Sequence, residues 1–147
     1  MPKTMPPLSD DAAIAWARLV RVSGAILSKV ESDLKSEGFP PLVWYDVLLE
    51  LERARTEGLR PFQLQENMLL AQYNLSRLFQ RLVKAGYIKR ESCSDDGRGQ
   101  VLRISQEGRK LRLRMWRVYQ QAIKTHFANK LDPEEITILS DLLMKLR

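Results

Sequence analysis

The 147-residue sequence contains one cysteine, Cys93, and one histidine, His126. A single cysteine excludes a disulfide within the chain, which is typical of proteins that work in a reducing cytoplasm. With so few metal-ligating or nucleophilic side chains, and no HExxH, CxxC, GxSxG or P-loop pattern, the sequence has little from which to build a reactive centre. We therefore expect no enzymatic activity, no cofactor and no metal ion.

Long hydrophobic runs are also missing. The apolar run nearest the start, residues 12–17, ends at Arg18 and is much shorter than the ~18–20 residues that a membrane span needs. Residues 1–8 are polar and proline-rich and lack the apolar region of a signal peptide, so they are predicted to be a disordered tail. We expect a soluble, cytoplasmic protein without a membrane partner, in which residues 9–147 form a single domain.

Acidic residues are scarce in the middle of the chain, where basic residues are concentrated. Residues 77–114, the basic segment, hold eleven Lys and Arg against four acidic residues, and residues 71–90 hold no acid at all. A local basic segment on a nearly neutral body is typical of proteins that bind a polyanion such as nucleic acid. A solvated surface gives the same composition, so charge alone does not decide between the two.

Apolar residues recur every three to four positions over most of the chain, which predicts a mainly α fold. The pattern favours long helices over 9–37 and 107–127, a second helix after Pro41, and a last helix capped by Asp132. The terminal helices carry more apolar surface than one small domain can cover. This excess predicts that the chain associates with a second copy of itself.

The middle of the chain predicts a winged helix-turn-helix. Two short helices, over 62–68 and 72–85, are separated by a short joint. Two short strands follow, over 87–92 and 101–105, with a run of turn-forming residues between them at 94–99. A β-hairpin directly after the second helix of such a pair is the wing.

The predicted fold class is therefore mainly α with a small β-hairpin wing. Residues 41–105 form the winged helix-turn-helix lobe. The N- and C-terminal segments, 9–37 and 106–147, are the predicted dimerisation helices.

The outer face of the second short helix carries side chains suited to reading DNA in the major groove. Its amide side chains can donate and accept together, which suits adenine, and the planar fork of Arg77 suits guanine. Its shorter or more peripheral polar residues are suited to phosphates, which fix register. At the wing tip, Arg98 would enter the narrow minor groove, oriented by Asp96. For each of these residues the alternative is an ordinary solvated surface. The predicted DNA-binding residues are Gln72, Asn74, Ser76, Arg77, Gln80, Arg81, Lys84, Arg90, Asp96 and Arg98.

Aromatic residues in the terminal and second helices have two interpretations. They form core, or they line a crevice in which rings supply apolar walls and indole N–H or phenol O–H groups supply polar contacts. The predicted effector-pocket residues are Trp16, Val20, Trp44, Tyr45, Leu48 and Trp116.

Several runs of the sequence match one family in order and spacing. They are Ser76-Arg77-Leu78 and Arg81-Leu82 within 64–82, and the runs 85–90, 96–99, 104–108 and 44–48. Together these runs resemble the MarR family of bacterial winged helix-turn-helix regulators, over about 10–146. One departure is Ala71, since the family has a serine there as the cap of its recognition helix, and Gln72 or Asn74 would have to serve instead.

The resemblance implies a homodimer that places two recognition helices in successive major grooves of a near-palindromic operator. It also implies repression that a small phenolic or aromatic acid relieves, by binding better to a dimer whose spacing does not fit the operator. The alternative function is a winged-helix module that binds another protein and never contacts DNA.

Overall fold

The computed structural model describes residues 4–70, 74–92 and 99–147. Six helices and a two-stranded antiparallel sheet follow one another in the order that the sequence predicts. They are α1 (Asp10–Ser36), α2 (Leu42–Arg53), α3 (Pro61–Asn67), α4 (Leu75–Lys84), β1 (Ile88–Ser92), β2 (Gln100–Ile104), α5 (Gln106–His126) and α6 (Pro133–Met144), with 3₁₀ turns at Arg55–Glu57 and Ala128–Lys130. The predicted fold class, mainly α with a β-hairpin wing, is confirmed.

The core lies where α2 meets the other elements. Val47, Leu48 and Leu51 of this helix are fully buried. The helix begins after Pro41, which offers no side chain to cap it. The carboxylate of Glu31, on α1, accepts instead from the Leu42 N–H, at 3.1 and 3.2 Å, and so ties α1 to the start of α2.

The two ends of the chain contribute little to this core. In α1 only Val30 and Leu34 are buried, and α6 has no buried residue. Both helices are nevertheless well capped, because Ser9 accepts from the Ala12 N–H and Asp132 forms a capping box with Glu135. The apolar faces of both helices are largely exposed in this chain.

α5 runs back along α1 and α2 and closes the core. Ser105 caps its start, accepting from the Gly108 N–H at 3.0 Å. Near its end, His126 Nε2 lies 2.8 Å from Asp33 Oδ2 on α1. Helix α5 is thus held at its start by the Ser105 cap and near its end by the contact between His126 and Asp33.

The helix-turn-helix is confirmed, with one correction to its second helix. α3 matches the predicted helix closely, but α4 begins at Leu75 rather than near residue 72. Asn74 has a left-handed backbone (φ 58°), so it precedes the helix and is not on the helix's outer face. It occupies the N-cap position, where its side chain makes no capping hydrogen bond.

The wing pairs β1 with β2 from Ile88 opposite Ile104 to Ser92 opposite Gln100. Leu59 extends this sheet by an antiparallel bridge to Leu102, a contact that the sequence pattern does not predict. Gly58 makes the approach possible, because its φ is +68° and a Cβ there would lie 2.6 Å from the Leu102 carbonyl oxygen. In the described part of the chain, none of the helices combines the length and the apolar character needed to cross a membrane.

Candidate nucleic-acid interface

α4 has two chemically different faces. Leu78, Phe79 and Leu82 are buried against the core and fix the rotation of the helix. The opposite face is exposed over the whole length of the helix. It consists of Ser76, Arg77, Gln80, Arg81 and Lys84. The fold therefore presents a straight row of polar and cationic side chains on a helix narrow enough to enter a major groove.

The positive charge of this face is not neutralised by an ion pair with any described residue. Among residues 4–70, 74–92 and 99–147, no ion pair involves Arg77, Arg81, Lys84 or Arg90. No acid occurs between residues 71 and 90 to repel a phosphate. These cations are therefore available to a polyanion.

The structure separates the predicted DNA-binding residues into two groups. Five of them form the exposed face of α4, with Asn74 exposed at its N-terminal end and Arg90 exposed on β1. Gln72, Asp96 and Arg98 lie outside the described residues, as do Ala71 and Cys93.

Two arginines of the basic segment form ion pairs within the protein. Arg103 pairs with Glu91 on the facing strand, and its Nε donates to the Thr56 carbonyl oxygen at 2.8 Å. The Arg112 side chain, only 15% exposed, pairs with Glu52 of α2. The concentration of charge in the sequence thus overstates the positive surface that is free to bind.

Sequence reasoning missed the residue that fastens the joint between α3 and α4. Asp46 is only 5% exposed, and its carboxylate accepts from the backbone N–H groups of Leu69, at 3.0 Å, and Leu70, at 2.7 Å. An acid within the otherwise apolar run of residues 42–49 was the available signal, since a buried carboxylate needs hydrogen-bond donors.

A cavity of about 800 Å³ lies between α2, the α3–α4 joint and α5. Its aromatic wall is formed by Tyr45, which stacks on Trp116 (centroids 6.1 Å apart), and by Tyr119, edge-on to Tyr45 at 5.1 Å. Burial raises the pKa of the Tyr119 phenol above its ordinary value, with smaller contributions from Tyr45, Asp46 and Glu31. Three arginines also line the cavity: Arg53, Arg112 and Arg147.

The predicted effector-pocket residues are not brought together in one cavity. Only Tyr45 and Trp116 line the cavity just described. Leu48 is fully buried in the core, and Trp44 lines a second, smaller cavity beside Arg81. The remaining two, Trp16 and Val20, are exposed on α1, at 68% and 52%.

Comparison with known proteins finds similarity to one family. Residues 37–99 match the sequence model of the MarR family. No curated protein sequence matches the chain.

Solved structures share the fold over nearly the whole chain. Sco3205, a MarR family transcriptional regulator from Streptomyces coelicolor solved in complex with DNA, is 22% identical, with a TM-score of 0.87 and coverage of 98% of this chain and 90% of that one. AbsC from the same organism is 24% identical, with a TM-score of 0.82 and coverage of 97% and 95%. A mutant MarR from E. coli, complexed with operator DNA, is 22% identical, with a TM-score of 0.77 and coverage of 91% and 94%.

Proposed function

We propose that this chain is a MarR-family transcription regulator that binds double-stranded DNA. Residues 37–99 match the sequence model of that family, and solved MarR-family regulators share the fold. The observation that carries the proposal is the exposed face of α4, where Arg77, Arg81 and Lys84 have no ion-pair partner among the described residues. Sco3205 and the E. coli MarR mutant, which have this fold, were solved bound to DNA.

The side chains of α4 have different roles in this proposal. Arg77 and Gln80 lie on the exposed face and carry the groups that match base edges, a guanidinium fork for guanine and an amide for adenine. Ser76, Arg81 and Lys84 contact phosphates and set the register of the helix in the groove. Gln72, Asp96 and Arg98 remain predicted DNA contacts from the sequence alone.

The proposed DNA-binding unit is a homodimer on a near-palindromic operator. A two-fold dimer repeats the same helix on both halves of such a site, so protein symmetry and operator symmetry agree. The uncovered apolar faces of α1 and α6 support the dimer, because exposed Trp16, Leu142 and Leu143 are unfavourable in water.

The proposed regulation is repression that a small aromatic acid relieves. The cavity between α2 and α5 supports this proposal, since its rings suit an aromatic ligand and Arg147 suits a carboxylate. Because the cavity touches both the α3–α4 joint and α5, an occupant would contact both the DNA-binding lobe and a dimerisation helix. Quenching of the Trp116 fluorescence by aromatic acids, absent in Trp116→Phe, would report occupancy, and loss of DNA binding in parallel would report the coupling.

The central experiment measures DNA affinity across a salt series. Duplexes are selected from a random-sequence library with the wild-type protein, and binding is then titrated by fluorescence anisotropy. The logarithm of the affinity should fall linearly with the logarithm of the salt concentration, because phosphate contacts release counterions. Arg81→Ala should weaken binding to all duplexes and reduce the salt slope by about 1. Arg77→Ala should cost about 1–3 kcal/mol and relax the selected sequence.

Lys29→Ala is the matched control, since Lys29 is an exposed cation on α1, outside the proposed interface. Its affinity and salt slope should equal those of the wild type. If no duplex is enriched, or if affinity ignores salt and both arginine variants, the chain does not read DNA with α4. In that case the winged helix is better explained as a protein-binding module.

A further inference from the structure

A buried carboxylate joins α2 to the turn between α3 and α4. Both oxygens of the Asp46 carboxylate are engaged, one by the Leu69 N–H and the other by the Leu70 N–H. A carboxylate that is almost fully buried is strongly unfavourable unless donors surround it. The two backbone amides are those donors, so removing the carboxylate leaves them unsatisfied.

The helical hydrogen bonds of α3 end before Leu69, with the bond from the Met68 N–H to the Leu64 carbonyl oxygen. α3 ends at Asn67, and Met68 is already extended, with ψ 140°. Among the described residues that follow, the next helix is α4, which begins at Leu75. The amides of Leu69 and Leu70 thus lie outside both helices, and Asp46 takes the place of the carbonyl oxygens that a continuing helix would supply.

Leu69 and Leu70 form the first part of the connection from α3 to α4. Leu69 is 74% exposed, so side-chain packing holds that residue only weakly. Leu70 is half-buried and packs on the core. Fixing two consecutive amides on one rigid helix defines the position and the orientation of the peptide plane between them.

We propose that Asp46 is a positioning residue for DNA binding: its carboxylate holds the α3–α4 turn in the geometry that presents α4 to the major groove. The proposal rests on the DNA-binding function proposed above. Asp46 then contributes to the affinity for DNA although it does not contact DNA.

The test compares Asp46→Asn with Glu50→Gln. Both variants replace a carboxylate by its amide on α2 beside the same cavity. The Glu50 carboxylate, however, pairs with Arg53 and accepts no hydrogen bond from Leu69 or Leu70, whose N–H groups donate to Asp46. An asparagine at position 46 has one acceptor oxygen in place of two, and its NH₂ group faces an N–H donor. Hydrogen exchange of the Leu69 and Leu70 amides, followed by NMR, should accelerate about tenfold or more in Asp46→Asn, as expected for the loss of a charge-assisted hydrogen bond. It should not change in Glu50→Gln.

DNA affinity is measured on the duplexes selected by the wild type. Asp46→Asn should raise the Kd about tenfold, through loss of preorganisation, with an unchanged salt slope because no phosphate contact is removed. A residue with a purely structural role would alter exchange throughout the core, so the amides of Val47 and Leu48 serve as internal references. Asp46→Glu keeps the charge and both oxygens and should lose less affinity than Asp46→Asn.

The outcomes separate the two proposals. If the wild type binds no duplex, the DNA-binding function fails, and the role of Asp46 fails with it. If the wild type binds and Asp46→Asn binds equally well, or if Asp46→Glu is the weaker of the two variants, only the proposal for Asp46 fails. Faster exchange at Leu69 and Leu70 together with the tenfold loss of affinity supports it.

Discussion

Gly108 is the point of closest approach between α5 and the turn that leads into the wing. A Cβ at this position would lie 2.1 Å from the Tyr87 carbonyl oxygen and 2.9 Å from the Ile104 side chain. The Tyr87 carbonyl cannot move freely, because it accepts from the Ser105 N–H at 3.0 Å. The start of α5 can therefore lie this close only with glycine at position 108.

Gly108→Ala should destabilise the folded chain by about 1–3 kcal/mol, the usual cost of overpacking a rigid site. Gly24→Ala is the matched control, because Gly24 is also inside a helix and a Cβ there meets nothing within 4 Å. Relieving the poor helix propensity of glycine should make that variant more stable by up to about 1 kcal/mol. Urea unfolding of both variants measures the difference, and equal effects would contradict the close approach.

Tyr119 gives the protein a pH dependence in the alkaline range. Its phenol loses a proton to become charged, and burial disfavours the charged form, so the pKa in the folded chain lies above the ordinary value of 10.0. The associated stability is present below pH 10 and is lost as the pH rises through the raised pKa. Phenolate absorbance is titrated in the wild type and in Tyr119→Phe. The difference between the two titrations should show one group that titrates above pH 10. A difference that titrates at or below pH 10 would contradict this environment.

At the scale of an element, α2 depends on a cap from another helix. Pro41 cannot cap with its side chain, and the Glu31 carboxylate supplies the acceptor for the Leu42 N–H. A negative charge at a helix N-terminus also interacts favourably with the helix dipole. Glu31→Ala should therefore lower the free energy of unfolding by about 1–2 kcal/mol. Glu37→Ala, which removes an exposed carboxylate at the end of α1, should change it by less than about 0.5 kcal/mol, and thermal or urea unfolding compares the two.

The elements that the sequence predicts correctly are those whose signals are local. Asp132 caps the last helix as predicted, and Ser9 and Ser105 cap α1 and α5 close to the predicted starts of those helices. A side chain three residues from its backbone partner is sufficient for such a cap. Asp46 and the bridge between Leu59 and Leu102 join residues that are distant in sequence. No local pattern specifies such contacts, and the fold has to be known before they can be identified.

The candidate interface, too, can be predicted only in part from local sequence patterns. Composition identifies a basic segment, and helical periodicity correctly places Arg77, Arg81 and Lys84 on the exposed side of α4. Composition cannot reveal that Arg103 and Arg112 are committed to Glu91 and Glu52, since both partners lie far away in sequence. The left-handed backbone of Asn74 also makes α4 begin later than periodicity alone suggests.

At the scale of the whole molecule, the terminal helices leave an apolar surface that one protomer cannot bury. The most exposed large apolar residues on α1 and α6 include Trp16, Val20, Ile138 and Leu142, each at least half exposed. A two-fold contact would cover the same face on both copies. We expect light scattering to report the mass of two chains at micromolar concentration.

Leu142→Arg tests which face makes this contact. In a two-fold interface one substitution places a buried charge on each of the two subunits. Because both charges are unfavourable there, the dissociation constant of the dimer should rise at least about a hundredfold. DNA affinity should fall with it, because a single recognition helix loses the second half-site. Phe62→Arg is the control: Phe62 is 57% exposed and belongs to α3, which is not a terminal helix, and its substitution should leave the dimer intact. If Leu142→Arg remains dimeric while Phe62→Arg dissociates, the subunits associate through the lobe, and the second recognition helix cannot be placed as proposed.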